Sequence, residues 1–173
     1  MTRLRRAAAA VGIVPLAAMV VLAIPAPASA HGILDLGGVD AVAGRSSTVT
    51  LEIQHGCITR STGTVLVEAF VGKPWGRVVP QPVDGWTVRT QRLASGGRQL
   101  TWTKLGDPQP FGTPVFFPIK ATWPSNPGVY SMKVTQTCPD DVTTWGTPGG
   151  PATADAPSPP LTPIPQVKVL PAD

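Results

Sequence analysis

The feature that most constrains this chain is the repeated interruption of short β-rich runs by glycine, proline, asparagine and aspartate. Its 173 residues include 18 glycines and 21 prolines, and beyond the first thirty residues the apolar spacing of an amphipathic helix is almost absent. At positions 48–53, Val49, Leu51 and Ile53 alternate with polar residues, which is typical of a strand with one buried face. The pattern predicts an all-β fold, an antiparallel sandwich or barrel.

The candidate strands are separated by turn residues. They span residues 32–36, 47–54, 64–70, 78–80, 86–91, 99–104, 116–121, 128–137, 142–145 and 167–170. Residues 95–97, Ser-Gly-Gly, predict the turn of a hairpin, because apolar positions recur every second residue on both sides of it. We expect most of the five tryptophans to pack in the core: Trp75, Trp86, Trp102, Trp123 and Trp145.

Residues 1–30 have the three parts of a cleavable secretory signal peptide. Arg3, Arg5 and Arg6 precede an apolar stretch over residues 7–24, and the segment ends in the small residues Ala-Ser-Ala at 28–30. The stretch approaches the length of a membrane anchor, but its prolines and its small-residue ending favour cleavage after Ala30. We therefore expect export, and removing 30 of the 173 residues leaves a mature chain of 143.

The mature chain has the length of one compact domain. We assign residues 31–146 to that domain and residues 147–173 to a Pro-rich tail whose end can return as an edge strand.

After the signal no run is apolar enough to span a bilayer, so we expect no stable membrane span. Three of the 14 lysines and arginines lie in the signal, which leaves 11 basic against 10 acidic residues. Since these basic residues are also scattered, we expect no nucleic-acid partner.

His31 becomes the N-terminal residue if cleavage follows Ala30. A terminal histidine offers a metal its free α-amino group together with its imidazole, a chelate that no internal histidine can form. Copper(II) suits such donors, because affinity among divalent first-row metals peaks at copper and its tetragonal geometry accepts nitrogen and oxygen ligands. The alternative is that His31 is the first residue of a frayed strand. Its position directly after the cleavage motif favours the metal site.

A copper site at His31 needs further donors, and two candidates lie near one predicted strand end. His55, the second of two histidines, follows the strand that contains Glu52. A histidine in that place is equally explained as a hydrogen-bonding residue of a loop, and Glu52 alternates with buried residues, so its default environment is solvent. A tryptophan beside the metal would exclude water and tune the site.

The two cysteines, Cys57 and Cys138, both lie beyond the signal. In an oxidising compartment two thiols are more often bridged than free, so we expect a disulfide. Closing so long a loop stabilises a fold by roughly 4–5 kcal/mol in the chain-entropy description. The alternative, thiolate ligation of copper(I), requires reduced thiols outside the cytoplasm.

Common catalytic motifs are absent from the sequence. It contains neither a Gly-x-Ser-x-Gly nucleophile elbow nor a Gly-x-x-x-x-Gly-Lys phosphate loop. The adjacent acidic residues Asp140 and Asp141 follow Cys138 and Pro139, where a turn explains them better than paired acid-base chemistry. The sequence therefore lacks the motifs of common hydrolases and nucleotide-binding proteins.

Several short motifs follow one another along the mature chain. After His31 at its start come His-Gly-Cys at 55–57, Pro-Gln-Pro-Val-Asp-Gly-Trp at 80–86, Leu-Thr-Trp at 100–102, Gln-Thr-Cys at 136–138 and Val-Thr-Thr-Trp at 142–145. In this set and order the chain resembles the YcnI-like copper-binding family. The resemblance implies a bacterial exported β-sandwich, of immunoglobulin- or cupredoxin-like type, that binds one copper(II) ion.

In that family the ion is held by the amino group and ring of the terminal histidine, a mono-histidine brace, with a carboxylate and a nearby tryptophan. His31 matches the brace position and Trp145 matches the tryptophan. Cys57 and Cys138 resemble the cysteine pair of members that have His-Gly-Cys, which supports the disulfide and would hold His55 near Trp145.

The family's carboxylate is where this sequence departs from the pattern. The matching place at the end of the second strand holds Gly56 and Cys57, next to His55, while Glu52 lies earlier in the same strand. His55 and Glu52 are therefore both candidate metal ligands beside His31, and His55 would make a two-histidine site.

Two functional hypotheses of different classes follow. The first is a copper(II)-binding protein without enzymatic turnover, secreted or in the bacterial cell envelope, that serves copper sequestration, trafficking or homeostasis. Its partners would be the copper ion, other copper-trafficking proteins and, as an open alternative, a second copy of the chain in a homodimer.

The second hypothesis is a copper-dependent oxidase or polysaccharide monooxygenase, because a terminal histidine with a second histidine is also the ligand set of a histidine brace. Such enzymes also have a broad substrate surface and an axial tyrosine or phenylalanine, and the one tyrosine here is Tyr130. A metal-free structural or adhesive sandwich fits the composition but leaves the cleavage position unexplained.

Overall fold

The computed structural model describes residues 32–57, 61–148 and 162–172. The predicted signal peptide at 1–30, His31 and residues 149–161 of the Pro-rich segment lie outside the described residues. Every regular element of the described ranges is a β-strand, which confirms the all-β prediction. Those ranges accordingly contain no helix that could cross a membrane.

The strands form a sandwich of two sheets. The four-stranded sheet consists, in spatial order, of β1 (Gly32–Asp35), β3 (Ser46–Ile53), β8 (Val115–Thr122) and β5 (Val78–Pro80). The seven-stranded sheet consists of β2 (Ala41–Val42), β11 (Gln166–Leu170), β9 (Gly128–Cys138), β4 (Leu66–Val71), β7 (Arg98–Lys104) and β6 (Trp86–Arg92), with β10 (Asp141–Trp145) also paired to β9. The strand pairs are antiparallel except for β2 and β11, which are parallel.

The core lies between the two sheets. The inward-facing Val49, Leu51 and Ile53 of β3 are at most 1% exposed, as their alternation predicts. Phe117 of β8 contacts two rings of the facing sheet, with centroid distances of 5.0 Å to Trp86 and 4.7 Å to Trp102. All five tryptophans are buried, as expected, and burial of such large apolar surfaces is the main term that holds sandwiched sheets together.

Strand β9 pairs with β4 along one edge and with two strands in succession along the other. Its residues 128–131 pair with β11 and its residues 134–138 pair with β10. After β10, the Thr147 amide donates to the Thr162 carbonyl and the Ile164 amide donates to the Thr147 carbonyl, so described residues that follow β10 contact those that precede β11. The returning strand β11 is therefore confirmed. It pairs on both sides, with β9 and with β2, so it lies inside the sheet rather than at the edge that we expected.

All the strands expected from the sequence form, with ends shifted by at most about two residues, as is usual for strand boundaries. The short strand β2 was not expected, because two residues are too few to show an alternation. The predicted hairpin joins β6 to β7: Gly96 has a φ of 84°, and the Leu93 amide donates to the Gly97 carbonyl at 2.9 Å.

A disulfide joins the two sheets. Cys57 follows β3 in the four-stranded sheet and Cys138 ends β9 in the seven-stranded sheet, with 6.1 Å between their Cα atoms and a sequence separation of 81. Both cysteines are buried. The predicted bridge is confirmed, and it leaves neither cysteine as a free thiol for a metal.

Candidate metal centre

The end of the sandwich where β1 begins and β3 ends surrounds the indole of Trp145. Gly32, the first described residue, pairs with Ile53 of β3. A Cβ atom on Gly32 would lie 3.4 Å from Cγ of Trp145, which ends β10 and is 1% exposed. The first described residue of the chain therefore lies against this tryptophan.

His55 lies on the same tryptophan. Its ring is half-buried, with centroid distances of 6.2 Å to Trp145 and 5.3 Å to Phe111. Its Nδ1 is 2.6 Å from the carbonyl oxygen of Gly56. Because a carbonyl can only accept, Nδ1 carries the proton, and Nε2 of the neutral ring keeps its lone pair. This Nε2 forms no hydrogen bond with the described residues, and it is the atom that could bind a metal.

Gln136 holds His55 and Trp145 in their relative positions. This fully buried side chain donates from Nε2 to the His55 carbonyl and to the Thr64 hydroxyl, both at 2.7 Å. Its Oε1 accepts from the Trp145 indole at 3.1 Å. Both ends of the amide are thus satisfied, as a buried polar group requires. The network fixes the backbone of His55 and the ring of Trp145.

The backbone after His55 is tightly confined. The Gly56 amide donates to the Phe111 carbonyl at 2.8 Å, and the Cys57 amide donates to the Thr62 carbonyl at 3.0 Å. A Cβ atom on Gly56 would overlap the Thr62 carbonyl, so only glycine fits between these segments. The glycine and the adjacent disulfide fix the position from which the imidazole extends.

Glu52 lies on the other face of β3. It pairs with Ile33 of β1 and with Phe116 of β8, between the buried positions Leu51 and Ile53, so its side chain extends from the outer face of the sheet. The structure therefore brings together His55 and Trp145 of the predicted site and separates Glu52 from them. His31, the predicted first ligand, lies outside the described residues.

The part of the chain that the structure describes contains no group of three or more His, Cys, Asp or Glu side chains that could hold a metal ion. The cysteines are bonded to each other, and Glu52 is on the far face of its strand. Of the predicted donors within the described ranges, His55 alone lies beside Trp145.

Two residues of this cluster were missed as site residues by the sequence reasoning. Gln136 could have been found, because it is a polar residue at an inward position of β9, between Val134 and Cys138, and such a residue must have polar partners. Phe111 lies outside any strand, and its contact with His55 leaves no pattern in the sequence.

The remaining predicted features have structural roles. Pro139 and Asp140 form the turn between β9 and β10, and the Asp141 carboxylate accepts from the Val142 amide at 2.8 Å. The Tyr130 hydroxyl donates to the Asn126 carbonyl. Tyr130 is six residues along β9 from Gln136, roughly 20 Å at the rise of a strand, so it lies far from His55.

Comparison with known proteins supports the fold. No family model matches the chain, and no curated protein is significantly similar to it. Among solved structures the chain is similar to an uncharacterized protein from Nocardia farcinica, whose crystal structure reveals an immunoglobulin-like fold, with a TM-score of 0.63 and 27% sequence identity. The match covers 82% of this chain and 99% of the other. The chain therefore has an immunoglobulin-like β-sandwich fold.

Proposed function

We propose that this protein is exported and binds one copper(II) ion through the amino group and imidazole of His31 at a processed N-terminus, with Nε2 of His55 as a further nitrogen ligand beside Trp145. The observation that carries the proposal is that Gly32 and His55 lie against the same indole. His31 is bonded to Gly32, and consecutive Cα atoms are about 3.8 Å apart. A donor at position 31 would therefore start one residue from the Gly32 contact with this indole.

The donor chemistry favours copper(II). Two imidazoles and an amine are nitrogen donors, for which copper(II) has the highest affinity among the divalent first-row metals. Thiolate ligands would select copper(I), but neither cysteine can supply one because both are in the disulfide. Since no other donor cluster exists among the described residues, the terminal amine is an essential part of the proposed site.

His55 is a better second ligand than Glu52 because of the face on which each side chain lies. The alternation of β3 directs Glu52 to the outer face, away from Trp145. His55 is held near the indole by the Gln136 network, and its Nδ1 contact leaves Nε2 available. A hydrogen bond from the non-ligating nitrogen to a carbonyl is the usual support of a metal-binding histidine.

The disulfide supports export, because such bridges persist in oxidising compartments outside the cytoplasm. There the protein would sequester copper(II) or pass it to other copper-trafficking proteins. The buried Trp145 would close one side of the site to water.

The test is a copper(II) titration of two forms of the protein. One begins at His31 with a free α-amine, and its matched control is the same chain acetylated at that amine, which converts the amine into an amide. We expect one tightly bound copper in the first form and a loss of affinity of more than about a hundredfold in the second, because the chelate loses its amine. Equal affinities would exclude the terminal chelate, and intact mass of the exported protein must show His31 as its first residue.

A second candidate function is that of a copper oxidase or monooxygenase. It is favoured by one observation: Phe111 packs on His55, so a two-histidine site would have an aromatic residue beside it. Release of hydrogen peroxide by the copper-loaded protein with ascorbate, or cleavage of a polysaccharide, would support the enzyme. Neither is expected if the protein carries copper without turnover.

A further inference from the structure

A shallow depression lies on the outer face of the four-stranded sheet, at the opposite end of β3 from His55. It has a volume of about 350 Å³ and is lined by Ser46, Arg77, Val79, Lys120 and Thr122. Ser46 begins β3, whereas His55 follows its end, so the two lie roughly 25 Å or more apart at the rise of a strand. The depression is therefore separate from the candidate metal centre.

Among the residues that the structure describes, two cationic side chains line the depression and no acidic side chain does. Arg77 and Lys120 are exposed, and the structure gives neither side chain a hydrogen bond or an ion pair with any described residue. The cross-strand neighbours of Lys120 are Thr48 and Val79, which are uncharged. The positive charge of the two groups is thus not neutralised locally and makes the depression attractive to anions.

A pair of hydroxyl groups adds hydrogen-bond donors. Ser46 Oγ and Thr122 Oγ1 are 2.8 Å apart, so one hydroxyl donates to the other. The pair contains two hydroxyl protons and uses one of them in this bond, which leaves the second proton available to a ligand.

The backbone that carries Arg77 is fixed against its neighbours. The Thr122 amide donates to the Arg77 carbonyl at 2.7 Å, and Nη1 of Arg98, from the seven-stranded sheet, donates to the Gly76 carbonyl at 3.1 Å. A Cβ atom on Gly76 would overlap the Thr122 carbonyl, so the glycine permits this close approach to β8. The site thus needs little backbone ordering when it binds a ligand, which favours affinity.

We propose that this depression binds a phosphate-type oxyanion. Two unneutralised cations match a dianion, and a tetrahedral group has enough acceptor oxygens to engage donors from β3, β8 and the segment before β5. The guanidinium of Arg77 can bind two oxygens at once, while the ammonium of Lys120 acts as a point charge. A planar carboxylate, with one negative charge, would be satisfied by the arginine alone. The proposal is independent of copper binding and does not involve His31 or His55.

The experiment is an NMR titration of the folded protein with phosphate at constant ionic strength. We expect saturable shifts of the amide signals of Ser46, Arg77, Lys120 and Thr122, with weaker binding of acetate. The double variant Arg77→Gln/Lys120→Gln should weaken phosphate binding at least about tenfold, because it removes both charges. The matched control is Arg89→Gln/Lys133→Gln, which removes the same charge from two exposed positions on the outer face of the seven-stranded sheet.

Three results would overturn the proposal: equal loss of binding in the two double variants, shifts spread over all cationic residues, or acetate binding as tight as phosphate binding. Unchanged thermal unfolding of both variants shows that they remain folded. Sedimentation with phosphatidylglycerol vesicles identifies the source of the phosphate. Binding to vesicles that is lost in the Arg77→Gln/Lys120→Gln variant assigns the site to a lipid headgroup, whereas phosphate binding without vesicle binding assigns it to a soluble phosphate.

Discussion

At the scale of single residues, His55 and Glu52 show how the face of a strand separates two candidate ligands. Both lie near one end of the same segment, yet Glu52 extends from the outer face of β3 while His55 lies near Trp145. Since a metal ion binds donors only within a few ångströms, the proposed copper site beside Trp145 would include His55 and exclude Glu52.

We therefore predict different effects for His55→Ala and Glu52→Ala in the protein that begins at His31. His55→Ala should weaken copper(II) binding by more than about tenfold, because losing even a residue that only supports a metal ligand costs at least that much affinity. It should also remove one nitrogen coupling from the copper EPR spectrum. Glu52→Ala should leave the spectrum unchanged. The reverse result would assign the ligand to Glu52 and exclude our choice.

Gln136 is the residue on which the buried polar network depends. Replacing it with leucine leaves the Trp145 indole, the Thr64 hydroxyl and the His55 carbonyl without their buried partner. We expect Gln136→Leu to lower the free energy of unfolding by about 3 kcal/mol, measured by urea denaturation. The matched control, Gln91→Leu at an exposed position of β6, should change it by less than about 0.5 kcal/mol. Similar values for both variants would show that the network contributes little.

At the scale of structural elements, the segment after β3 is positioned by close backbone contacts rather than by strand pairing. Gly56 passes against the Thr62 carbonyl and donates to the Phe111 carbonyl, and these contacts direct the His55 ring toward Trp145. A methyl group at position 56 would force the two segments apart.

We predict that Gly56→Ala destabilises the protein by at least about 2 kcal/mol, in the range of overpacked interior sites. It should also weaken copper binding, because His55 moves with the backbone. Gly112→Ala is the control, since a Cβ atom there meets no atom within 4 Å, and its melting temperature should stay within about two degrees of the original. Equal melting temperatures for the two variants would show that the close contact between Gly56 and the Thr62 carbonyl does not restrict the residue at position 56.

At the scale of the whole molecule, the disulfide connects the two sheets at the end that carries the candidate metal centre. The bridge closes a loop that spans 81 positions of sequence, and Cys57 lies two residues after His55. It therefore restricts the unfolded chain and also holds the His55 segment against β9.

The double variant Cys57→Ser/Cys138→Ser should lower the free energy of unfolding by about 4 kcal/mol, because the unfolded chain regains the entropy of the open loop. Urea denaturation of the oxidised protein, the reduced protein and the double variant measures the effect. We expect the reduced protein and the variant to agree. A loss below about 1 kcal/mol in both would show that the bridge adds little to the sandwich.

The sequence by itself determined the class of fold. Alternation in β3, the hairpin glycine at position 96 and the frequent prolines predict short antiparallel strands, because strand periodicity and turn chemistry are local properties of the chain. The same local reasoning placed the tryptophans in the core, and the presence of two cysteines indicated the disulfide.

Only the tertiary structure decided which residues meet at the candidate site. Gln136, Phe111 and Trp145 reach His55 from strands and loops that are distant in sequence, and no local pattern encodes such contacts. The cationic depression likewise brings Arg77, in the segment before β5, together with Lys120 of β8. The physical reason is that periodicity assigns a side chain to a face of its own strand, whereas the pairing of strands and the packing of sheets determine what lies opposite that face.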